Sequence, residues 1–438
     1  MAHVTRRQFV LLTGLSINSR LSHKTLASAL ETGAGKGAGK VTTTSASTTV
    51  SGAFDAEMER FMTERDIPGG ALAVVKNQRL VYARGYGLMD REKGLAATAE
   101  SLFRIASLSK PITAVATLKL VEQGLLGLDT PAWKMLGLEV VDEATRAGTI
   151  DPRLAQITVR QLLHHTGGWD RGKSFDPMFA SGVIAKKLAV PSPASAHSIV
   201  RYMAGQPLDF DPGARYSYSN FGYCLLGRII EKLSGESYEQ FVKKRILSPL
   251  GIERMRIGAT LAGGQSHGES RYYVATEKLT ESVFSPALEQ VPWPYGGFCL
   301  EAMDSHGGWI ASVKDLARFA SALEDPNHCR ILKAPALRGM VEPPAPPAWR
   351  ADDGTLAAAY YGCGWMVRPV GRGGKGNYWH SGSLPGTSGL LVRRWDGLSW
   401  VVLFNKRSEN PALPDTAIDS ALHRAAAAVR RWPRGEVL

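Results

Sequence analysis

The chain has 438 residues, of which 44% are hydrophobic and 21% are charged. This is the composition of a folded globular protein and argues against extensive disorder. The sequence contains no run of about 18 or more apolar residues, so we expect no membrane-spanning helix. Its four cysteines form no Cys-x-x-Cys pair, which excludes a zinc ribbon and a disulfide-dense scaffold.

The formal net charge of +12 is concentrated at the two chain ends. Residues 1–50 carry a net +5 and residues 421–438 a net +3, so the remaining 370 residues contribute only +4. A nucleic-acid-binding domain groups Lys and Arg on one surface with aromatic residues between them, and the sequence contains no such stripe. We therefore expect no nucleic-acid partner.

The N-terminal segment has the pattern of an export signal. Arg6 and Arg7 precede a short apolar stretch, and Ala27-Ser28-Ala29 offers small residues at a cleavage position. Residues 1–29 are therefore predicted to be a twin-arginine signal, and the protein to be exported to the periplasm or the extracellular space. The alternative is a basic tail without a targeting role. Residues 30–53 have the composition of a flexible linker, which places the folded domain at 54–438.

The pattern of strands and helices predicts an α+β fold. Residues 71–75 and 80–83 flank a short turn and predict an antiparallel hairpin, as do residues 389–394 and 398–404 around Asp396-Gly397. Helical periodicity is found over 114–123, 159–163, 221–233, 238–246, 313–323 and 416–431. We expect an antiparallel sheet built from both chain ends and flanked by helices, with a helical region inserted at about 131–295.

Ser107 and Lys110 form the only Ser-x-x-Lys pattern in the chain. Pro111 and the helical stretch after it place Ser107 near a helix N-terminus, with Lys110 one turn further along the same face. Two serines capping a surface helix would give the same pattern. To act as a base at neutral pH, Lys110 needs a pKa of about 7–8 rather than about 10.4, so we expect it to be buried.

Two further motifs carry groups suited to substrate binding and proton transfer. Tyr218-Ser219-Asn220 offers a hydroxyl that can relay a proton and an amide that can bind a substrate carbonyl. In His380-Ser381-Gly382-Ser383, the glycine would let a substrate backbone approach closely, and the Ser383 N–H could donate to an oxyanion. Two other His-x-Gly strings occur, but only His380 leads into the C-terminal strands.

In this order, the three motifs resemble those of the penicillin-recognising serine hydrolases. That family comprises class C β-lactamases, DD-carboxypeptidases, D-aminopeptidases and related carboxylesterases. The resemblance covers residues 54–428 and extends to flanking segments at 67–70, 102–106, 157–166 and 307–319. It implies a β-lactamase/transpeptidase-like fold, no cofactor or metal, and a small-molecule or peptidoglycan-like substrate.

The resemblance also implies a role for each motif. Ser107 would be the acylated nucleophile and Lys110 its base. Tyr218 would share proton transfer, and Asn220 would contact the substrate. The backbone N–H groups of Ser107 and Ser383 would form the oxyanion hole.

One position departs from the β-lactamase pattern. Typical β-lactamases have a lysine where this chain has His380, and that cation binds the carboxylate of the drug. A histidine with a pKa of about 6.5 is mostly neutral at pH 7. We therefore favour hydrolysis of an ester or a D-amino-acid-containing peptide over efficient β-lactam turnover. We also expect turnover of anionic substrates to fall as the pH rises through about 6–7.

Two other functions are compatible with parts of the sequence. A penicillin-binding or sensing module would be acylated at Ser107 with little turnover. Gly264-Gln265-Ser266-His267-Gly268 matches the Gly-x-Ser-x-Gly motif of α/β-hydrolases, but neither an apolar strand before it nor a helix after it is predicted. The adjacent His164 and His165 lack the spacing of metal ligands.

Overall fold

The computed structural model describes residues 49–137, 150–274, 279–284, 287, 289–351, 353–371 and 375–438. The predicted export signal and most of the predicted linker lie outside these residues. The first helix begins at Val50, and Thr49 caps it by accepting a hydrogen bond from the Gly52 N–H. The helix thus begins before residue 54, where the folded domain was predicted to start.

The described residues form the following helices and strands. The helices are α1 (Val50–Glu64), α2 (Ser109–Glu122), α3 (Ala132–Leu136), α4 (Val159–Leu163), α5 (Ser181–Leu188), α6 (Ala196–Ala204), α7 (Asn220–Ser234), α8 (Tyr238–Val242), α9 (Val313–Ala322), α10 (Ala334–Met340) and α11 (Ala417–Ala428). The strands are β1 (Gly69–Lys76), β2 (Arg79–Asp90), β3 (Leu95–Ala96), β4 (Phe103–Arg104), β5 (Arg256–Ile257), β6 (Leu279–Glu281), β7 (Gln290–Pro292), β8 (Trp309–Ala311), β9 (Tyr360–Tyr361), β10 (Met366–Pro369), β11 (Gly376–Leu384), β12 (Thr387–Arg393), β13 (Leu398–Phe404) and β14 (Glu436–Val437).

The main sheet joins the two ends of the folded region, as the sequence predicts. Its order is β14-β2-β1-β13-β12-β11-β10-β9, and neighbouring strands pair antiparallel. Strand β1 lies between β2 and β13, with Gly70 opposite Phe404. Both predicted hairpins are present, and their turns contact each other because the Asn77 N–H donates to the Gly397 carbonyl at 2.7 Å.

Both faces of the sheet are covered. Successive side chains of a strand point to opposite faces, and in β1 both sets are buried. Leu72 and Val74 pack in the cluster formed with α1 and α11. Ala71, Ala73 and Val75 pack in the larger cluster formed with the helical region. This explains why β1 is apolar throughout instead of alternating with polar residues.

The inserted region is helical in its first part only. Helices α3 to α8 lie between residues 132 and 242. Helices α7 and α8 pack against α2, which is almost completely buried, and α3, α4 and α6 pack against α7. Residues 256–274, 279–284 and 289–295 instead contain short strands and 3₁₀ turns, since their glycines and prolines interrupt helices. Within the described part of the chain, no helix is long and apolar enough to cross a membrane.

Candidate active site

Ser107 lies in a short 3₁₀ turn (Ala106–Leu108) between β4 and α2. Ala106 has a φ of +48°, a left-handed conformation that costs a residue with a Cβ atom about 1–3 kcal/mol. The Ser109 hydroxyl stabilises this turn by donating to the Ala106 carbonyl at 2.7 Å. Ser107 is therefore held at the N-terminal end of α2, where the partial positive charge of the helix favours a developing alkoxide.

Lys110 is completely buried in the first turn of α2. Its Nζ atom lies 3.0 Å from Ser107 Oγ, 2.8 Å from Asn220 Oδ1 and 2.9 Å from the His306 carbonyl oxygen. Burial lowers the pKa of Lys110 well below its usual range, because a low-dielectric interior disfavours the charged form. A neutral amine at this distance can accept the proton of Ser107.

Tyr218 packs against the same lysine. Lys110 Nζ lies 4.7 Å from the centroid of the Tyr218 ring. The centroid of the His165 ring lies 4.3 Å from the centroid of the Tyr218 ring. Burial raises the pKa of the Tyr218 hydroxyl, and an interaction with the Ser107 side chain opposes that effect. The hydroxyl is therefore protonated at neutral pH and can both accept and donate a proton.

Asn220 connects Lys110 to an acidic residue. It is the first residue of α7, whose N-cap Ser219 accepts a hydrogen bond from the Gly222 N–H. While its Oδ1 atom accepts from Lys110, its Nδ2 atom donates to Asp176 Oδ2 at 2.7 Å. The amide is thus held from both ends.

His380 is buried and neutral. Its Nε2 atom lies 2.9 Å from the Tyr361 hydroxyl, and its Nδ1 atom lies 2.7 Å from the Ser381 carbonyl oxygen. Burial lowers the pKa of His380 to about 3, and the charge of Lys110 adds to the effect. The burial of His380 therefore argues against the expectation that it titrates between pH 6 and 7 and binds anionic substrates through its charge.

Gly382 allows two parts of the protein to approach closely. A Cβ atom at this position would overlap the carbonyl oxygen of Ile105, in the segment that leads to Ser107. Strand β11 consequently packs directly on the 3₁₀ turn that carries the serine. Ser381 and Ser383, which flank Gly382, are exposed.

Three further histidines, His164, His165 and His306, are buried and differ in their contacts. His164 Nδ1 lies 3.0 Å from the Tyr361 carbonyl oxygen, while His165 Nδ1 accepts a hydrogen bond from the Ser219 N–H. His306 contributes its backbone carbonyl to Lys110. Across the described residues, no group of three or more His, Cys, Asp or Glu side chains is arranged to hold a metal ion.

The Gly-x-Ser-x-Gly string does not form the strand–turn–helix of an α/β-hydrolase. Ser266 lies in a loop after a 3₁₀ turn (Ala262–Gly264), and its N–H donates to the Glu269 carboxylate at 2.9 Å. Glu269 in turn accepts a hydrogen bond from Tyr272. This geometry belongs to a structural loop.

Two charged residues near the serine were not predicted from the sequence. Asp176 accepts from Asn220, and the Arg171 guanidinium carbon lies 5.0 Å from the centroid of the Tyr218 ring. Both belong to the segment between α4 and α5, which has no motif that links it to Ser107. Only the folded structure brings this segment to the site.

The main sheet is antiparallel and built from both chain ends, and the Ser-x-x-Lys motif lies at the start of a buried helix beside it. This arrangement defines a β-lactamase/transpeptidase-like fold. The model of the beta-lactamase family matches residues 54–425. The chain belongs to this family of serine hydrolases, and its relatives include an esterase and penicillin-binding proteins. The family resemblance inferred from the sequence is thereby confirmed.

Two curated relatives show the range of the family. Esterase EstB of Burkholderia gladioli is 30% identical over 209 residues, which are 45% of this chain and 49% of EstB. The chain thus spans about half the length of that relative. Penicillin-binding protein 4* of Bacillus subtilis is 27% identical over 361 residues, which are 82% of this chain and 71% of that protein.

Solved structures share the fold. The octameric penicillin-binding protein homologue from Pyrococcus abyssi has a TM-score of 0.61 and 26% identity, covering 85% of this chain and 77% of that one. The D-amino acid amidase from Ochrobactrum anthropi SV3 has a TM-score of 0.63 and 22% identity, covering 87% and 97%.

Proposed function

We propose that this protein hydrolyses an ester or a D-amino-acid-containing peptide through an acyl-enzyme on Ser107. The observation that carries the proposal is the 3.0 Å distance between Lys110 Nζ and Ser107 Oγ, with the lysine fully buried. Burial lowers the pKa of this amine and so favours the neutral form that a general base requires, which an exposed lysine rarely adopts at neutral pH. The esterase relative supports an ester substrate.

In the acylation step, the neutral Lys110 amine takes the proton of Ser107 as Oγ bonds to the substrate carbonyl carbon. The carbonyl electron pair moves onto oxygen, and the backbone N–H groups of Ser107 and Ser383 stabilise the resulting oxyanion. When the tetrahedral intermediate collapses, the bond to the leaving alcohol or amine breaks. The Lys110 proton passes through the Tyr218 hydroxyl to that leaving group.

Deacylation reverses the roles. A water molecule gives one proton to Lys110 through Tyr218 as its oxygen bonds to the acyl carbon. The Ser107–carbonyl bond then breaks, and Ser107 recovers the proton. The products are a carboxylic acid and an alcohol or amine. Asn220 contacts the substrate while it keeps Lys110 in place.

The neutral His380 supports this substrate class. A β-lactamase with a lysine at this position has a permanent charge for the carboxylate of the drug, whereas His380 has a pKa of about 3. The exposed Ser381 and Ser383 offer hydrogen bonds without charge. We therefore expect weak β-lactam turnover compared with ester turnover.

The test uses three substrates and two serine variants. Purified protein is incubated with a chromogenic cephalosporin, a short-chain nitrophenyl ester and a D-Ala-D-Ala peptide, and turnover and intact mass are followed. We expect ester or peptide turnover that S107A abolishes and the loop variant S266A retains. A persistent drug adduct on Ser107 without turnover of any substrate would instead indicate a penicillin-binding or sensing module. Turnover by S107A would reject the proposal.

We further propose that residues 1–29 direct export by the twin-arginine route. The supporting observation is the Arg6-Arg7 pair before an apolar stretch. Expression in a bacterium with that route should give periplasmic protein whose mass lacks the signal. An R6K/R7K double variant that still reaches the periplasm by this route would contradict the proposal.

A further inference from the structure

Arg171 presents an open positive charge next to the candidate active site. Its guanidinium carbon lies 5.0 Å from the centroid of the Tyr218 ring, and 43% of its side chain is exposed. Within the described residues it makes no hydrogen bond, and its one ion pair is a long contact of 3.9 Å with Asp176. Most of its N–H groups are therefore free to bind a ligand.

Neighbouring arginines are different because carboxylates bind them closely. Arg160 Nε lies 2.8 Å from Asp129 Oδ1, and Arg215 Nη2 lies 2.7 Å from Asp170 Oδ2. Arg171 follows Asp170 in the chain, yet that acid pairs with Arg215 and not with its neighbour. Arg160 and Arg215 are thus paired with carboxylates at short distance, whereas Arg171 has only its long contact with Asp176.

The field of Arg171 reaches the groups around the serine. It lowers the pKa of Lys110, His165 and Tyr218, although burial has the larger effect on each. Arginine retains its charge at all physiological pH values. Because burial keeps His380 neutral, Arg171 provides a permanent positive charge beside Tyr218 that can attract an anionic substrate.

We propose that Arg171 is a specificity residue that binds an anionic group, a carboxylate, on the acyl or leaving part of the substrate. This inference rests on the proposed hydrolysis at Ser107 and names the substrate class for it. A guanidinium has a planar set of donors that matches a carboxylate with two parallel hydrogen bonds. The anion would be held beside Tyr218 rather than along β11, where His380 offers no charge.

The test compares two esters that differ only in charge. Mono-(4-nitrophenyl) adipate has a free carboxylate, and its methyl ester is neutral, while nitrophenol release reports both. The quantity measured is the ratio of kcat/KM for the anionic to the neutral ester. Because both values come from one enzyme variant, the ratio cancels effects on Lys110. High salt should lower the wild-type ratio, since ions screen exposed charges.

We expect R171Q to lower this ratio about tenfold, which corresponds to about 1.4 kcal/mol. R171K should keep part of the preference because it retains the charge without the planar donor set. R215Q removes a nearby cation that is already paired, and it should leave the ratio unchanged.

Failure of this inference is distinguishable from failure of the proposed function. If turnover depends on Ser107 and the ratio is the same in R171Q and the wild type, the role of Arg171 is rejected and the hydrolase remains. An equal fall of the ratio in R215Q would also reject it, as the effect would then be general. If neither ester shows turnover that depends on Ser107, the proposed function fails, and the role of Arg171 fails with it.

Discussion

The side-chain amide of Asn220 donates a 2.7 Å hydrogen bond to the carboxylate of Asp176. This bond fixes which end of the amide faces Lys110, because the Nδ2 atom is committed to the acid and Oδ1 is left for the lysine. The negative charge of Asp176 also raises the pKa of Lys110, against the larger effect of burial. Asp176 is therefore a positioning residue whose role can be tested through the pH profile.

The variant D176N should shift the acidic limb of kcat/KM for a neutral ester to lower pH. Its side-chain oxygen can still accept from Asn220, but the charge that stabilises the Lys110 ammonium is lost. The lysine then becomes a neutral base at a lower pH. The measurement is a pH profile from about 5 to 9. R171Q should move the limb the other way, since Arg171 lowers the same pKa. A limb that moves upward in D176N would contradict this prediction.

Replacement of Lys110 by methionine should lower kcat/KM for the nitrophenyl ester by about 10²–10⁴, the usual contribution of a general base. Lys119 provides a matched control on the same helix: its Nζ atom donates to the Ile331 carbonyl and lies outside the site. K119M should keep the activity of the parent. Circular dichroism would verify that both variants fold. If K110M retained most of its activity, another group would have to be the base.

The stability of the protein should fall as the pH decreases from about 6.5 to 4. His380 and His164 have pKa values of about 3 and 4 because they are buried. In this range the unfolded chain binds a proton at each site, near the ordinary value of about 6.5, and the native state does not. Each histidine thus lowers the free energy of unfolding by about 1.4 kcal/mol for every unit by which the pH falls in this range.

Urea unfolding at several pH values measures this effect. H380Q should flatten the pH dependence by the contribution of one proton, while replacement of the exposed His267 by glutamine should have little effect. If an NMR titration of the native protein gave His380 a midpoint near pH 6.5, the lowered pKa of this residue would be contradicted. The low pKa of His380 also has a consequence for catalysis. The pH profile for turnover of anionic substrates should show no change between pH 6 and 7 that is due to His380.

The variant G382A should be less stable and less active than the parent. Its new methyl group would overlap the Ile105 carbonyl, so β11 and the turn carrying Ser107 would have to separate. Overpacking of this kind costs about 1–3 kcal/mol. Gly339 in α10 is a matched control, because a Cβ atom there meets nothing within 4 Å. G339A should be neutral or slightly stabilising. Urea unfolding and ester turnover would be measured for both, and unchanged values in G382A would contradict the close approach.

Much of the fold was predictable because its signals are local. The turns at Asn77-Gln78 and around Gly397 contain residues that adopt left-handed φ angles, and apolar strands flank both. The position of Ser107 before a helix followed from Pro111 and the apolar stretch after it. These features depend on neighbours in the sequence, so their patterns can be read without the fold.

The electrostatics of the site were not predictable, because they depend on residues far apart in the sequence. The low pKa of His380 results from its burial beside Tyr361, and the lowered pKa of Lys110 from its burial beside Tyr218 and His306. Asp176 and Arg171 lie in a loop without a recognisable motif and contact Asn220 and Tyr218. A glycine in a motif can also have more than one structural role. Gly382 was expected to allow a substrate backbone to approach, and in the structure it allows the Ile105 backbone to approach.

The place of β1 between β2 and β13 has a consequence for biosynthesis. The ribosome completes β1 long before residues 398–404 emerge, yet these residues supply the whole second edge of the strand. Before residues 376–393 are made, the nascent chain holds Ser107, Lys110 and Tyr218 without the strands β11 and β12 that pack against the serine turn. On the proposed mechanism, we expect a chain terminated before β11 to be inactive, although it contains Ser107 and Lys110.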